Sequence, residues 1–457
     1  MPRGDESANV MKKEQFDVLV VGGGPAGIAA AVSAAECDCS VALLDENNAP
    51  GGQIWRGFED GWHQPPKQKR ASKVPEEWFV RLRRSAVNVV QNCCVFGSSQ
   101  PGHLLADVDG EPIEYVGESI VLATGARERF LPFPGWTLPN VVGAGGLQAL
   151  VQCGLPIAGK RVVVAGSGPL LLAVAAHLAA HRAKIAMILE QAPLSSLANF
   201  AAALASRPSK LAQGVGYRWQ TRTVPYRTSA WPLRANGSDK IESLTYFYAG
   251  WQHTVDCDYL ACGFHLVPNT ELAALLGCEL TTAGVHVDDL QRTTVASVYC
   301  AGETAGVGGL DLALVEGQIA GIAAAGLPDR SRPLMAAHRR ERTFAARLAS
   351  AFALRAELRS VADAETIVCR CEDVRRVQLD GHHSWRAAKL LTRCGMGACQ
   401  GRICGAACEF LYGWKADSQR LPVQPVSIPS LMGRSSESPI RSAEIESMQF
   451  QSQEESK

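Results

Sequence analysis

The stretch Phe16–Ala35, FDVLVVGGGPAGIAAAVSAA, decides the fold of this chain. An apolar strand-like run, Phe16 to Val21, enters Gly22-Gly23-Gly24-Pro25-Ala26-Gly27, and an alanine-rich run follows. This is G-x-G-x-x-G between a strand and a helix, the context in which the motif carries meaning. Gly22 permits the tight turn, Gly24 lets the backbone approach a pyrophosphate, and Gly27 lets helix and strand pack closely. The pyrophosphate then lies on the helix N-terminus, where unpaired N–H groups and the helix dipole favour an anion. The next apolar run, Ser40 to Leu44, ends at Asp45, 23 residues beyond Gly22. A carboxylate roughly 20 residues past the first glycine is placed to accept hydrogen bonds from ribose hydroxyls.

A weaker echo follows. Arg161 to Ala165 leads into Gly166-Ser167-Gly168-Pro169-Leu170-Leu171, and Glu190 stands 24 residues beyond Gly166. Leu171 replaces the third glycine, which predicts a helix pushed off its strand and an altered phosphate pocket. Two roles stay open for this unit: a surviving nicotinamide site, or a Rossmann-shaped body kept for structure or docking. Repeated strand–loop–helix–strand units imply parallel sheets covered by helices on both faces. The expected fold is α/β: two doubly wound Rossmann-like dinucleotide-binding domains plus a small C-terminal four-cysteine domain. The expected boundaries are a disordered leader (1–13), a first dinucleotide domain (14–134 and 280–330), a second (135–279), a helical linker (331–360), a cysteine domain (361–415) and a polar tail (416–457). Residues 59–85 read as a polar surface excursion, and the tail from 434 as disordered.

Lys+Arg and Asp+Glu balance at 45 each, so no basic surplus points to nucleic acid as the main partner. Hydrophobic residues make up 47%, enough for several buried cores. The polar opening MPRGDESANVMKKEQ lacks the apolar run of a signal peptide, and no uninterrupted apolar run reaches the ~18 residues of a membrane span. A cytoplasmic location is the expectation.

The cysteines carry a second chemistry. There are 15, an odd number scattered along a long chain, which is not a secreted disulfide framework. Six fall between residues 369 and 408, within TIVCRCEDV and LLTRCGMGACQGRICGAAC. Cys369-x-Cys371 and Cys399-x₄-Cys404 place four thiolates on two tight turns, which suits a [2Fe–2S] cluster. Zinc also accepts four thiolates, and Cys399-x₄-Cys404 fits its spacing while Cys369-x-Cys371 does not. Cys394 and Cys408 stand as competing ligands.

Several motifs together carry a family resemblance. Asp45-Glu46, Gly51-Gly52-Gln53, Ala123-Thr124-Gly125 and Gly302-Glu303, added to the first glycine loop, resemble the FAD-binding pattern of glutathione-reductase-like flavoproteins. The resemblance implies FAD held by Gly22, Gly24, Pro25, Ala26, Gly27, Asp45, Glu46, Gly52, Gln53, Thr124, Gly125, Gly302 and Glu303. Glu303 stands where that family usually has Asp. The redox cysteine pair of the family's disulfide reductases is absent: GGQIWRG holds no cysteine and the chain has no C-x-x-C. Dithiol–disulfide exchange is therefore not expected.

CRCEDV and GMGACQGRIC resemble the cluster segment of bacterioferritin-associated-ferredoxin-like domains. Behind ATGARERFLPFPGWTLPNVV and AGSGPLLLAVAAHLA, they make residues 14 to about 430 resemble the large (α) subunit of hetero-oligomeric amino-acid and imino-acid dehydrogenases. That group includes the opine oxidase, hydrogen cyanide synthase, D-hydroxyproline dehydrogenase and dye-linked proline dehydrogenase subunits. The resemblance implies an electron-transfer subunit with FAD and [2Fe–2S], and a second flavin (FMN) at a subunit interface. It also implies a partner β subunit of the D-amino-acid-oxidase type, which oxidises the C–N bond, and in some members a small ferredoxin-like subunit. Two other readings stand beside it: a self-contained NAD(P)H-dependent reductase, motivated by Glu190, and a non-catalytic iron–sulfur docking or sensor protein. His265, in ACGFHLVPNT, reads as a loop histidine near the expected flavin edge. Arg127, Glu128 and Arg129 read equally as ligand contacts and as a surface charge cluster.

Overall fold

A computed structural model of the chain describes residues 11–57, 73–205, 207–415 and 419–433. The first ten residues of the expected leader, part of the polar excursion and the end of the tail lie outside that range.

Two sheets organise the molecule. In the first, the strand Lys12–Val21 pairs in parallel with Val41–Leu44 on one side and with the long strand Glu111–Leu122 on the other. Its inner residues Val18, Leu19 and Val20 are fully buried, as expected for a parallel strand covered on both faces. Asn88–Val90 extends the sheet at one edge. Val298–Cys300 returns to pair with the far end of Glu111–Leu122. The start of that long strand turns antiparallel against His103–Val108, which pairs with Cys93–Gly97. The short apolar strand expected at Ser119–Ala123 is thus the last part of a strand that serves both halves of the sheet. The strand beginning at Lys12 also takes up the last two residues of the expected leader, with Lys12 opposite Ile113.

The glycine-loop helix Pro25–Ala35 packs on Leu310–Ala324. The contact is backbone-close: a Cβ on Gly317 would lie 2.2 Å from the Ala26 carbonyl oxygen, and one on Gly321 2.1 Å from that of Ala30. Within the expected polar excursion, Val74–Arg84 is an amphipathic helix whose Trp78, Phe79 and Leu82 join this core.

The second sheet is parallel throughout, in the order Tyr226–Thr228, Lys184–Glu190, Arg161–Ser167, Tyr259–Phe264, Val141–Gly143. Helices Ala144–Gln152 and Leu170–Ala180 supply core residues on one face, and an antiparallel sheet of Trp231–Asn236, Ser243–Tyr248 and Trp251–Asp256 packs on the other. A two-stranded ribbon, Ala126–Glu128 with Leu266–Pro268, carries the chain out of and back into the first half.

Past the helix Met335–Ala351, the cysteine segment folds as a small hairpin, Ile367–Cys369 with Val374–Arg375, and the helices Trp385–Thr392 and Cys404–Tyr412. Its core holds Val368, Leu379, Trp385, Ala388 and Trp414. Gly395 (φ 81°) would press a Cβ to 2.5 Å from the Trp385 ring, so only glycine turns the loop there. Part of the expected polar tail is also structured. Val423 donates its N–H to the Phe96 carbonyl, and the Ser430 hydroxyl reaches Asp107, so residues 421–433 form a strap across the edge of the first sheet. Among the described residues, no helix is long and apolar enough to cross a membrane.

Candidate functional site

The first glycine loop lies at the C-terminal end of its strand, where doubly wound sheets bind ligands. Gly22 has φ 103° and leaves no room for a side chain: a Cβ would lie 2.3 Å from the Ala123 carbonyl oxygen. A Cβ on Gly27 would lie 1.8 Å from the Gly22 carbonyl oxygen. Pro25 opens the helix, and Gly24 at its N-cap has no side-chain cap, so the N–H groups of the first turn stay available to an anion. Gly51 donates to the Gly23 carbonyl at 2.7 Å, and Gly52 faces Gly24, so the Gly51-Gly52-Gln53 turn closes over the loop. Gln53 and Glu46 are exposed at the rim.

Asp45 is the informative residue. It is 3% exposed, and its Oδ1 accepts from the Asn47 backbone and side chain at 3.1 and 2.8 Å. Its Oδ2 is buried beside Gly23 with no protein partner. Leaving a buried carboxylate oxygen unpaired costs about 1–3 kcal/mol or more. A ribose hydroxyl in the cradle would satisfy it, so the residues present fit a dinucleotide.

The far wall of the cradle joins two distant segments. The Gly125 N–H donates to the Thr304 hydroxyl at 2.7 Å, and the Thr124 and Thr304 hydroxyls are 3.2 Å apart. Gly302 donates to Glu316 Oε2 at 3.0 Å, and His338 packs behind that carboxylate at 3.4 Å. Burial pushes the Glu303 carboxyl above its usual range.

The second loop is spent on the protein itself. Glu190 is fully buried, and its carboxylate accepts from Gly168 and Ala192 N–H, both at 2.8 Å. Burial raises its pKa to about 7 against those hydrogen bonds. The Ser167 hydroxyl donates to the Phe352 carbonyl at 3.0 Å, and the Gln191 amide donates to Ser167 and to the Ala353 carbonyl. Arg355 N–H returns a bond to Gln191 Oε1. The linker Phe352–Arg355 is therefore hydrogen-bonded onto the glycine loop. Leu171, 1% exposed, fills the space between helix and sheet. His265 Nε2 is bonded to the Phe352 carbonyl, and burial lowers its pKa.

The cysteines meet at a cavity of about 260 Å³. Cys369, Cys371, Cys399 and Cys404 all line it, and its apolar wall of Phe130, Trp136, Val141 and Val142 comes from the second half of the molecule. Trp136 is pinned there by donating to the Ile367 carbonyl at 2.6 Å. Cys369 and Cys404 are buried, Cys371 is exposed and Cys399 half-buried. Cys369, Cys394 and Cys404 have sulfurs within 4.8 Å of one another. Cys394 does not line the cavity; it is fully buried in the same small core as Cys408. The Cys394 and Cys404 thiols and the Gly395 and Glu372 backbone N–H groups around the Cys369 sulfur push its pKa far below the usual thiol range. Backbone N–H groups beside a thiolate stabilise it as a metal ligand, and the converging Cys369, Cys394 and Cys404 sulfurs could hold a metal ion. The aromatic wall was invisible in the sequence, because nothing local connects Phe130 and Trp136 to the cysteines.

Comparison with known proteins shows the family of the dinucleotide-binding part. The pyridine nucleotide-disulphide oxidoreductase family matches residues 16–325. The opine oxidase A-type subunit of Rhizobium meliloti is 32% identical, over 90% of this chain and 97% of its own length. Hydrogen cyanide synthase subunit HcnB of Pseudomonas aeruginosa is 29% identical, over 89% of this chain and 96% of its own. The solved L-proline dehydrogenase from P. horikoshii superposes with a TM-score of 0.66, covering 92% of this chain and 80% of that one at 20% identity, and so shares its fold. The chain belongs to the pyridine nucleotide-disulphide oxidoreductase family, as an FAD-binding oxidoreductase of the branch that contains the opine oxidase A-type subunits.

Proposed function

We propose that this chain is the electron-transfer subunit of a hetero-oligomeric dehydrogenase that oxidises the C–N bond of a small amino or imino acid. FAD is held by Gly22, Gly24, Pro25, Ala26, Gly27, Asp45, Glu46, Gly52, Gln53, Thr124, Gly125, Gly302 and Glu303. A [2Fe–2S] cluster is held by Cys369, Cys371, Cys399 and Cys404. When bound, the flavin supplies two-electron acceptance and the cluster one-electron transfer. The substrate site is on a partner β subunit of the D-amino-acid-oxidase type, with FMN at the subunit interface, in the cytoplasm. The opine oxidase, hydrogen cyanide synthase and sarcosine oxidase relatives are each one subunit of their enzyme, which supports this reading.

The observation that carries it is the pairing of an open dinucleotide cradle with a four-cysteine cavity in one chain, beside a second glycine loop whose acid and phosphate-facing groups are already hydrogen-bonded internally. That loop opposes a self-contained NAD(P)H reductase. The test begins with iron, sulfide and flavin analysis of the anaerobically purified chain. Cys369→Ser should remove nearly all iron and sulfide, whereas Cys394→Ser should retain the visible cluster bands. Iron-free wild-type protein, or zinc in its place, would sink the cluster assignment. With the co-expressed β partner present, an amino or imino acid should bleach the flavin, and failure across opines, proline, hydroxyproline, glycine and sarcosine would sink the substrate class.

A further inference from the structure

We propose that Arg127 is the positioning residue that locks the cysteine cavity to the flavin cradle and sets the potentials of the groups bound there. This rests on the reading above. Arg127 lies on the ribbon strand Ala126–Glu128, two residues past Gly125, and its side chain is 21% exposed. Its guanidinium makes three contacts in three directions. One nitrogen donates to Asn269 Oδ1 at 2.7 Å, another is 2.9 Å from Glu271 Oε1, and Nε donates to the Arg402 carbonyl at 3.0 Å.

Two of these contacts lead to functional walls. Asn269 donates to the Thr124 carbonyl at 2.8 Å and accepts, on its own carbonyl, from the Thr124 hydroxyl at 2.7 Å, so it is part of the flavin cradle. Arg402 lies inside the Cys399–Cys404 loop, and its own guanidinium donates to the Cys399 and Val423 carbonyls. The cluster loop is thereby tied to the flavin side through Arg127 and to the first sheet through the strap. The neighbouring charge on the ribbon, Glu128, has other employment. Glu128 accepts from Gly145 and Gly146 N–H at 2.8 and 3.1 Å, at the start of the helix Ala144–Gln152. Arg129 is bonded through its backbone to His265 and Phe264, but its guanidinium Nε is buried with no hydrogen-bond partner among the described residues and bridges neither wall.

Two effects follow from one side chain. The planar fork reaches acceptors on both sides at once, which a lysine ammonium on a flexible stem does not reproduce. It therefore fixes the separation across which single electrons pass, with no bond made or broken. Its positive charge offsets Glu271, and loss of a cation near a cluster or flavin makes each harder to reduce.

The experiment compares the full wild-type chain with Arg127→Met and Arg127→Lys, each purified anaerobically. Cofactor content is measured first, then the midpoint potentials of flavin and cluster. The rate of electron redistribution after substoichiometric dithionite follows, read by flavin absorbance and freeze-quenched cluster EPR. Arg127→Met should lower both potentials and slow redistribution on the order of tenfold. Arg127→Lys should keep potentials near wild type yet still redistribute slowly. Wild-type potentials and rates in Arg127→Met overturn the inference; should that variant not fold, a wild-type rate in Arg127→Lys does so. Wild-type protein lacking flavin or cluster instead refutes the functional reading beneath it.

Discussion

The two glycine loops share a strand-to-helix frame and differ in where their acid points. Asp45 leaves one buried oxygen unpaired beside Gly23. Glu190, one methylene longer, uses both oxygens on the N–H groups of Gly168 and Ala192. The first loop keeps its binding capacity for a ligand, and the second has turned it into internal structure held under the Phe352–Arg355 linker. A Rossmann-like loop is thus a nucleotide site only while its donors and acceptors remain unspent.

The comparison is most easily broken at the glycine or leucine in the first turn of each helix. Gly27→Val should abolish flavin binding, since even one Cβ would lie 1.8 Å from the Gly22 carbonyl oxygen. Leu171→Val, a smaller apolar residue in a filled space, should leave the flavin absorbance unchanged. Equal loss in both variants would mean that the loops are not functionally distinct.

The acids give the next largest effect. Asp45→Ala removes the acceptor offered to the ribose and should weaken FAD binding by about 10–100-fold, the equivalent of 1.5–3 kcal/mol for a hydrogen bond to a charged group. Fluorescence titration of the apoprotein measures this, and Glu190→Gln should leave the same affinity unchanged.

Glu190 also predicts a pH signature. Its folded pKa of about 7 lies above the ordinary 4.5, so between those values the folded state holds a proton that the unfolded state has released. Stability should therefore fall as pH rises from 4.5 to 7, by up to about 3 kcal/mol at 1.36 kcal/mol per pKa unit. Glu190→Gln should flatten that part of the thermal-unfolding profile, and an unaltered slope would assign the effect to other groups.

The smallest expected effect is none at all. NADH or NADPH added anaerobically should leave the flavin oxidised. Prompt bleaching would show that the linker yields and that the second loop still works.

The glycine loops, their acids and the cysteine spacing were legible in the sequence because each is a local pattern whose chemistry depends on neighbours along the chain. The extent of the ordered chain was less so. Lys12 and Lys13 look like leader residues, yet they extend the first strand opposite Ile113 and Glu114. Val423 sits in a polar stretch, yet it docks on Phe96. In both cases a backbone hydrogen bond to a distant strand outweighs local composition.

The sequence by itself determined the α/β class, the first nucleotide loop and a cluster of cysteines near the C-terminal end, because strand period, glycine placement and thiol spacing are short-range constraints. Only the tertiary structure decided that Glu190 is consumed by its own loop and that the cysteine cavity borrows Phe130 and Trp136. It alone placed Arg127 between the cradle and the Cys399–Cys404 loop. Those outcomes depend on side chains separated by up to hundreds of residues reaching hydrogen-bond or van der Waals distance, and packing, not spacing, sets that distance.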